Sequence, residues 1–575
     1  MRGAIPISVE QASRGFTRWD ALAILLTLGV LIFFAEASRH LLQPLTELQL
    51  APLSLAPENL PDYAARTTLR MLAALVLSLV FTFTYATFAA KSRRAEVLLV
   101  PLLDILQSVP ILGFISVTVV FFMSLAPGRV LGAEFAAIFA IFTSQAWNMA
   151  FSFYQSLRTV PRDLDEVSRH FQLSPWLRFW RLEAPFAAPG LIWNTMMSMS
   201  GGWFFVVASE AITVGDTTVK LPGIGSWLAV AIDAKDIHAV ILAVLMMAAV
   251  ILAYDQLLFR PIVAWADKFR FEQTAARQRP RSWVYDLWRR GKVVRRVSPA
   301  IGWMAARISK LPLGFTRPAR AVRRSGTGRL ADRLWLLVVL AVVAYALWHI
   351  VLFTRASLST GDVLTAIGLG LLTLLRVAVL IALASLIWVP IGVWIGLRPW
   401  AATRVQPVAQ FLAAFPANVL FPMAVVVIVT WHLNPDIWLS PLMVLGTQWY
   451  ILFNVIAGAS AFPTDLREAS TLFRLRTWQW WRKVIVPGIL PYYVTGALTA
   501  SGGSWNASIV AEVASWGDTR LRAAGLGSYI ADASAAGDYP RVVLGIVVMS
   551  VMVVACNRLV WRPLYRLAER RFRLD

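Results

Sequence analysis

The sequence predicts an all-α polytopic membrane protein of about twelve transmembrane helices, arranged as two parallel six-helix repeats. The composition, the long apolar runs and a polar pattern that occurs twice support this class. The chain has 575 residues, of which 58% are hydrophobic and 15% charged, whereas soluble domains carry about 25% charged residues. Runs such as Met71–Ala90, which holds no charged residue, suffice for a helix to cross hydrocarbon, which takes roughly 20 residues.

Hydropathy places six spans in each half of the chain. The predicted spans are 20–37, 68–90, 97–124, 132–157, 186–212 and 238–259, then 334–354, 366–396, 405–431, 437–461, 488–514 and 540–560. The predicted domains are 1–264 and 331–575, both transmembrane, joined by a basic linker, 265–330. The start, 1–20, is polar and no clear small-residue cleavage site follows it, so we interpret the first apolar run as a retained span and not a signal peptide.

The distribution of Lys and Arg predicts the orientation. With the N-terminus in the cytoplasm, the cytoplasmic segments hold 42 of the 54 Lys and Arg, as the positive-inside rule requires. Both termini are then cytoplasmic, and the net charge of +22 reflects topology and not nucleic-acid binding. The basic linker is expected either to lie against anionic lipid headgroups or to be a solvated tether.

A polar pattern occurs twice, 302 residues apart, each time between apolar runs. The first copy begins at Glu166 and ends at Pro185, and the second begins at Glu468 and ends at Pro487, so that Glu and Pro are 19 residues apart in both. An even number of spans per copy gives both copies one orientation. This predicts a pseudo-two-fold axis along the membrane normal and argues against inverted repeats.

Each copy is expected to form a short polar helix on the cytoplasmic side, over 163–171 and 465–473. Asp163 and Asp465 are positioned to cap these helices, and Phe171 and Phe473 would serve as apolar anchors. A polar helix repeated between membrane spans suggests a docking element for a soluble partner. The alternative is an interfacial amphipathic loop without a partner.

The repeated pattern resembles the cytoplasmic loop of permease subunits of binding-protein-dependent ABC importers. That loop reads Glu-Ala-Ala, three residues, Gly, nine residues, Ile-x-Leu-Pro; both copies keep the spacing, and Glu468-Ala469 is retained. The segments that follow Glu210 and Glu512 resemble the nitrate/taurine/sulfonate branch. The family's Gly is replaced by Gln172 and Arg474, which we expect to tolerate a left-handed turn less well.

The resemblance implies two fused permease domains with a type I importer-like fold in the bacterial inner membrane. It also implies two cytoplasmic ATPase subunits that bind ATP and Mg, a periplasmic or lipid-anchored binding protein, and a small, anionic solute. The residues implied to dock the ATPases are Asp163, Glu166, Arg169, Phe171, Gln172, Asp465, Glu468, Ala469, Phe473 and Arg474. The sequence has no nucleotide-binding motif, so hydrolysis is expected in the partner, and no catalytic residue, cofactor, metal or nucleic acid is expected here.

Polar and aromatic residues within the spans are candidates for the translocation path. Arg70 and Arg376 either attract an anion or snorkel to headgroups, and the amide side chains either line the path or join helices by hydrogen bonds. Glu210 and Glu512 are expected to bond backbone amides of the following Gly-rich loops, which form the predicted dock for the binding protein. The path candidates are Arg70, Gln107, Gln145, Trp203, Arg376, Gln448, Trp505 and Asn506.

Two other classes of function were weighed. A channel or ion-driven secondary transporter would need a titratable relay in the membrane, and the spans hold few paired Asp, Glu or His residues. A membrane-embedded enzyme would need clustered catalytic residues, which the sequence does not show. The single cysteine, Cys556, excludes an internal disulfide.

Overall fold

The structure is a computed structural model. It describes residues 53–108, 111–214, 217–269, 282–290, 357–460 and 477–572, with single residues or short groups within 307–353 and 462–475. The predicted span 20–37 and most of 334–354 lie outside the described residues, as do most of the linker and most of the second predicted polar helix, 465–473. The chain divides into two compact units, and the described parts of the smaller unit are 159–192, 253–269 and 282–290, with residue 307.

The described chain is almost entirely helical, as the composition predicts. The first half contains α1 Leu60–Lys91, α2 Arg93–Ser108, α3 Ile115–Leu125, α4 Val130–Arg158, α5 Arg162–His170, α6 Pro175–Arg178, α7 Ala184–Glu210, α8 Ile224–Asp233, α9 Ile237–Tyr254, α10 Arg260–Ala266 and α11 Trp283–Arg290. The second half contains α12 Thr360–Gly396, α13 Pro399–Ala414, α14 Phe421–Thr430, α15 Pro435–Trp438, α16 Leu442–Leu445, α17 Gln448–Ser460, α18 Thr477–Trp480, α19 Val486–Ala511, α20 Leu526–Ala535, α21 Tyr539–Cys556 and α22 Arg562–Phe572.

Six helices in the described part are long and apolar enough to cross a membrane, and eight if each bent pair counts as one span. The predicted spans 405–431 and 437–461 are both broken, with bends of 74° and 43°. The first bend falls at Pro416, whose ring cannot continue a helical hydrogen-bond ladder. The equivalent of the second broken span in the first half is the continuous helix α4, so the repeats differ here in backbone path.

Small side chains allow the long helices to approach closely. Helices α1 and α4 form the most extensive helix pair, and their buried positions include Ala64, Ala74, Ala133 and Ala137. Alanine at such a contact lets two backbones come together without a hydrophobic driving force, which is how helices associate in lipid. The core of the second half is built from α12, α17, α19 and α21.

Two short β-hairpins, which the sequence did not predict, are present in the otherwise helical fold. Strands β1 Ala211–Val214 and β2 Thr217–Lys220 pair antiparallel, as do β3 Val513–Trp516 and β4 Thr519–Arg522. The second hairpin turns at Gly517, whose φ of 56° suits glycine in a two-residue hairpin turn. Hydropathy had extended the fifth spans into these strands because their residues are mostly uncharged.

The duplication extends to irregularities of the helices. One-turn π-helices occur at Phe179–Glu183 and Trp481–Ile485, and again at Asp255–Phe259 and Asn557–Trp561. Each pair is separated by 302 residues, the same offset as the polar pattern. A π-turn is rare in proteins, so its recurrence at equivalent positions confirms that the two halves share one local fold.

Candidate functional site: the docking helix and the buried polar clusters

The first polar copy forms the predicted helix, α5, between α4 and α7. The helix begins at Arg162, so Asp163 lies within its first turn, where it complements the helix dipole, and does not cap the helix as predicted. Glu166 and Val167 are exposed, and Phe171 is 71% exposed. An acidic and apolar surface is therefore available to a partner.

The turn that ends α5 keeps the left-handed geometry of the family's glycine. Gln172 has φ 49°, and the Leu173 N–H donates to the Ser168 carbonyl oxygen at 3.1 Å, which is the closing bond of a Schellman motif. The second copy has the equivalent bond, from Leu475 N–H to the Ser470 carbonyl at 3.2 Å. The expectation that these substitutions alter the turn is wrong for the first copy, and the second copy retains its closing bond.

Side chains on the opposite side of α5 hold it in place. Ser168 is buried and donates from its hydroxyl to the Asp165 carbonyl at 2.7 Å. Arg178 forms ion pairs with Asp165 and with Glu183, the latter at 3.1 Å. The π-helix after α6 thus supports the docking helix, and a force on α5 would be passed to the start of α7.

The second docking segment is described only in part. Phe473 and Leu472 are both highly exposed, which agrees with a surface open to a partner. Asp465, Glu468, Ala469 and Arg474 lie outside the described residues, as does the side chain of Arg169 in the first copy. Their docking role stays a prediction.

Arg70 forms a buried cluster with two carboxylates. It therefore has neither of the two roles predicted from the sequence, which were attraction of an anion and snorkelling to headgroups. Its guanidinium donates from Nε and Nη2 to both oxygens of Glu134, and from Nη1 to Glu210, each at 2.6 Å. Arg70 is 3% exposed and both acids are buried. A charge at membrane depth is costly unless it is paired, and this pairing joins α1, α4 and the end of α7.

Glu210 also holds the loop that follows the first hairpin. Its Oε2 accepts from the Gly225 N–H at 2.6 Å and its Oε1 from the Thr67 hydroxyl at 2.7 Å. The Thr67 oxygen in turn accepts from the Ile224 N–H at 3.0 Å. The prediction that Glu210 bonds backbone amides of the Gly-rich loop is confirmed.

The second half repeats this loop anchor. Glu512 accepts from the Ser528 N–H at 2.9 Å and from the Thr373 hydroxyl at 2.9 Å, and Thr373 accepts from the Leu526 N–H at 2.9 Å. The prediction for Glu512 is therefore also confirmed. Glu512, Thr373 and Leu526 occupy the positions equivalent to Glu210, Thr67 and Ile224, whereas the backbone donor shifts by one residue, from the equivalent of Gly225 to Ser528.

The arginine of the second cluster is bound more loosely. Arg376 lies 3.2 Å from Asp436 and 3.5 Å from Glu512, and it donates to the Ala524 carbonyl at 2.7 Å. Asp436 is 52% exposed, against 8% for the equivalent Glu134. The snorkelling and anion-attracting interpretations are thus replaced by ion pairing in this half too, although here the pair reaches the surface.

The remaining path candidates lie in different environments. Gln107 is exposed, whereas Gln145, Trp203 and Trp505 are buried. Among the described residues, the side-chain nitrogens of Gln145 and Trp505 have no hydrogen-bond partner. These two buried N–H donors therefore remain candidates for solute contact.

The other two amide candidates join structural elements. Gln448 accepts from the Trp388 indole at 2.8 Å, which is the interhelical bond weighed from the sequence. Asn506 accepts from the Ile111 N–H at 2.7 Å, and so links the two halves of the chain. These bonds occupy the side-chain oxygen of each residue.

Sequence reasoning missed Glu134, Asp436, Thr67 and Thr373. A signal was present, because Glu134 and Asp436 are acids at the 302-residue offset and the two threonines are 306 residues apart, like the arginines. Pairing every polar residue within or next to a predicted span with its equivalent would have found all four.

The fold and these sites define a helical membrane protein with two equivalent transmembrane halves, of which the first carries the polar helix α5 between α4 and α7. The sequence matches the family described as "Binding-protein-dependent transport system inner membrane component" twice, over residues 74–259 and 388–574. The matches cover more than half of the chain, and the chain belongs to this family.

Individual relatives show weaker similarity. The chain is 27% identical over 188 residues to the bicarbonate transport system permease protein CmpB of Synechococcus elongatus, covering 33% of this chain and 64% of the relative. It is 26% identical over 190 residues to the nitrate import permease protein NrtB of Leptolyngbya laminosa, covering 33% and 64%. It is 27% identical over 205 residues to NrtB of Synechococcus elongatus, covering 34% and 69%. The first two of these matches therefore span less than two thirds of the relative.

Proposed function

We propose that this protein is the complete transmembrane pair of an ATP-driven importer for a small inorganic anion, such as bicarbonate or nitrate. One observation carries the proposal: a polar helix with exposed Glu166, Val167 and Phe171 follows α4, which is long and apolar enough to cross a membrane, in a chain that holds the family domain twice. A surface of this kind next to a membrane span suits a soluble motor and has no use in a simple pore.

In the proposed cycle, each docking helix sits in a cleft of one ATPase subunit at the cytoplasmic face of the inner membrane. Closure of the ATPase pair moves the two docking helices, and the two transmembrane halves rock as rigid bodies about a central path. The ion pairs of Arg178 with Asp165 and Glu183 support this coupling, because they tie α5 to the π-turn that precedes α7.

The hairpins and the helices α8 and α20 are the proposed contact for an external binding protein. Glu210 and Glu512 anchor these loops from inside, so they do not repel an anion from the path. The name of CmpB refers to bicarbonate and that of NrtB to nitrate, which supports a small anionic solute. The buried N–H groups of Gln145 and Trp505 would suit an anion, since they offer hydrogen bonds without a competing carboxylate.

The test is purification of the tagged chain in mild detergent from its own host membranes. We expect an ATP-hydrolysing subunit at two copies per chain, and loss of that subunit from the Glu166→Lys/Glu468→Lys variant. Glu58→Lys is the matched control, because it makes the same charge reversal at an exposed residue of another surface. An ATPase retained by the double variant would disprove the docking role, and anion flux in liposomes without any ATPase would favour a channel or secondary transporter.

A further inference from the structure

A groove lined by arginines lies beside the last described helices. Arg558, Arg562 and Arg566, together with Pro563, surround an open concavity of about 290 Å³. The arginines are spaced four residues apart along the continuous helical segment formed by α21, the π-turn Asn557–Trp561 and α22. All three residues are exposed.

The equivalent positions in the first half carry different charges. Arg558, Arg562 and Arg566 correspond to Gln256, Arg260 and Ala264 at the 302-residue offset. Arg260 is paired with Asp255 at 2.9 Å, and the second half has Asn557 where the first has that aspartate. Compared with the equivalent positions of the first half, these positions of the second half carry two more positive charges and one fewer negative charge.

The first half also covers this surface with part of its own chain. Helix α11 packs on α10 through the buried side chains Val284 and Leu287, and the Trp283 indole donates to Gln256 at 3.3 Å. Pro261 is accordingly buried, whereas the equivalent Pro563 is exposed. In the second half the equivalent face of the helix is exposed and carries the three arginines.

The neighbouring side chains indicate where the groove lies relative to lipid. The arginines follow directly after the apolar helix α21, at the end of a candidate membrane span. Leu559 is 76% exposed, and Val560 and Leu564 are exposed too. Exposed apolar residues interleaved with arginines suit the boundary between acyl chains and headgroups, where basic side chains reach phosphate.

We propose that Arg558, Arg562 and Arg566 form a binding site for the phosphate of an anionic phospholipid, present only in the second half. Arginine is suited to this ligand because its planar fork donates two parallel hydrogen bonds to phosphate oxygens. The exposed leucine and valine residues beside the groove contact the acyl chains of the same lipid. A bound lipid would take the place that α11 takes in the first half.

The experiment is native mass spectrometry of the full chain in mild detergent, titrated with phosphatidylglycerol and, separately, with phosphatidylcholine. We expect preferential retention of phosphatidylglycerol. The variant Arg558→Gln/Arg566→Ala installs the first-half residues and should lower the affinity for phosphatidylglycerol at least about tenfold. Arg520→Gln/Arg522→Gln is the control, because it removes the same charge from the second hairpin and should leave retention unchanged.

A second variant guards against misfolding. Asn557→Asp places an acid beside Arg562, as Asp255 stands beside Arg260, and should weaken lipid retention without shortening any arginine. Unchanged retention in both groove variants, or an equal loss in the hairpin control, would overturn the proposal. Adding inorganic phosphate in place of lipid separates the sources: if phosphate binds at these arginines and phosphatidylglycerol does not, the site takes a soluble anion and the lipid assignment is wrong.

Discussion

Arg70 and Glu210, 140 residues apart in the chain, form an ion pair of 2.6 Å that is buried from solvent. The same arginine holds Glu134 with two further bonds. One side chain therefore joins the second, fourth and fifth predicted spans of the first half. The equivalent Arg376 makes longer contacts, one with the exposed Asp436 and one with the buried Glu512, so the arginine of the second cluster is held less tightly.

We predict that Arg70→Met destabilises the protein far more than Arg376→Met. Removing one partner of a buried ion pair costs about 3–5 kcal/mol because the remaining charge is left uncompensated, whereas partly exposed pairs contribute about 0–1 kcal/mol. Thermal unfolding in detergent, followed by loss of the monodisperse gel-filtration peak, measures both. Equal decreases in the melting temperature of the two variants would show that the burial of the ion pair does not determine how much the arginine stabilises the protein.

The loop anchors predict a contrast between two glycines. A Cβ on Gly225 would lie 2.5 Å from the Val207 carbonyl oxygen, whereas no described atom lies within 4 Å of one on Gly502. Gly225→Ala should therefore destabilise by about 1–3 kcal/mol through overpacking. Gly502→Ala should be neutral or stabilising, because alanine is the better helix former. Both variants are measured by the same thermal assay. An unchanged melting temperature for Gly225→Ala would mean that the loop can shift away from Glu210 to make room for the Cβ.

Lys235 has a left-handed backbone conformation, and the equivalent position in the second half is a glycine with the same conformation. Its φ is 56°, and the equivalent Gly537 has φ 67°. The lysine ammonium reaches across to the second hairpin, where it pairs with Asp518 at 2.8 Å and lowers the pKa of that carboxyl through a hydrogen bond and its charge. The strained backbone conformation therefore belongs to the same residue, Lys235, whose side chain contacts the other half of the chain.

This contact should depend on pH in one direction. Because the folded pKa of Asp518 is lowered, the stabilisation is complete above the ordinary aspartate pKa of about 3.9 and is lost as the pH falls through the lowered value. The difference in thermal midpoint between the wild type and Asp518→Asn should be constant from neutral pH to about pH 5 and shrink below about pH 4. Lys235→Gly should remove this difference at every pH, and a difference that persists in that background would refute the pairing.

The left-handed turn after the docking helix predicts opposite effects of two substitutions at one position. Gln172→Gly should stabilise the helix end by about 1 kcal/mol, since glycine has no Cβ to clash at positive φ. Gln172→Val should destabilise it, because a β-branched residue disfavours this region. ATPase coupling should survive the first change and fall with the second, as measured by solute-stimulated ATP hydrolysis of the reconstituted complex. Equal activity in both would show that the turn does not position the helix.

Local pattern was enough for most of the secondary structure. The apolar runs predicted α4 and α21 within a few residues, and they predicted the ends of α1 and α12, because a membrane helix satisfies its backbone hydrogen bonds within its own segment. Both of the latter helices begin earlier than predicted, at Leu60 and Thr360. The polar repeat predicted α5 for the same local reason. The hairpins escaped prediction because strand pairing depends on two short segments meeting, and the uncharged residues of β1 and β3 continue the hydropathy of the helix before them.

By itself, the sequence determined the membrane class, the duplication and the position of the polar helix α5, since composition, hydropathy and spacing are properties of contiguous segments. Only the tertiary structure decided that Arg70 is bound by Glu134 and Glu210, that Gln172 adopts the glycine-like turn, and that the basic face of α22 is open while that of α10 is covered. Charge pairing and burial depend on which distant side chains come within a few ångströms, and the spacing of residues along the chain does not specify that.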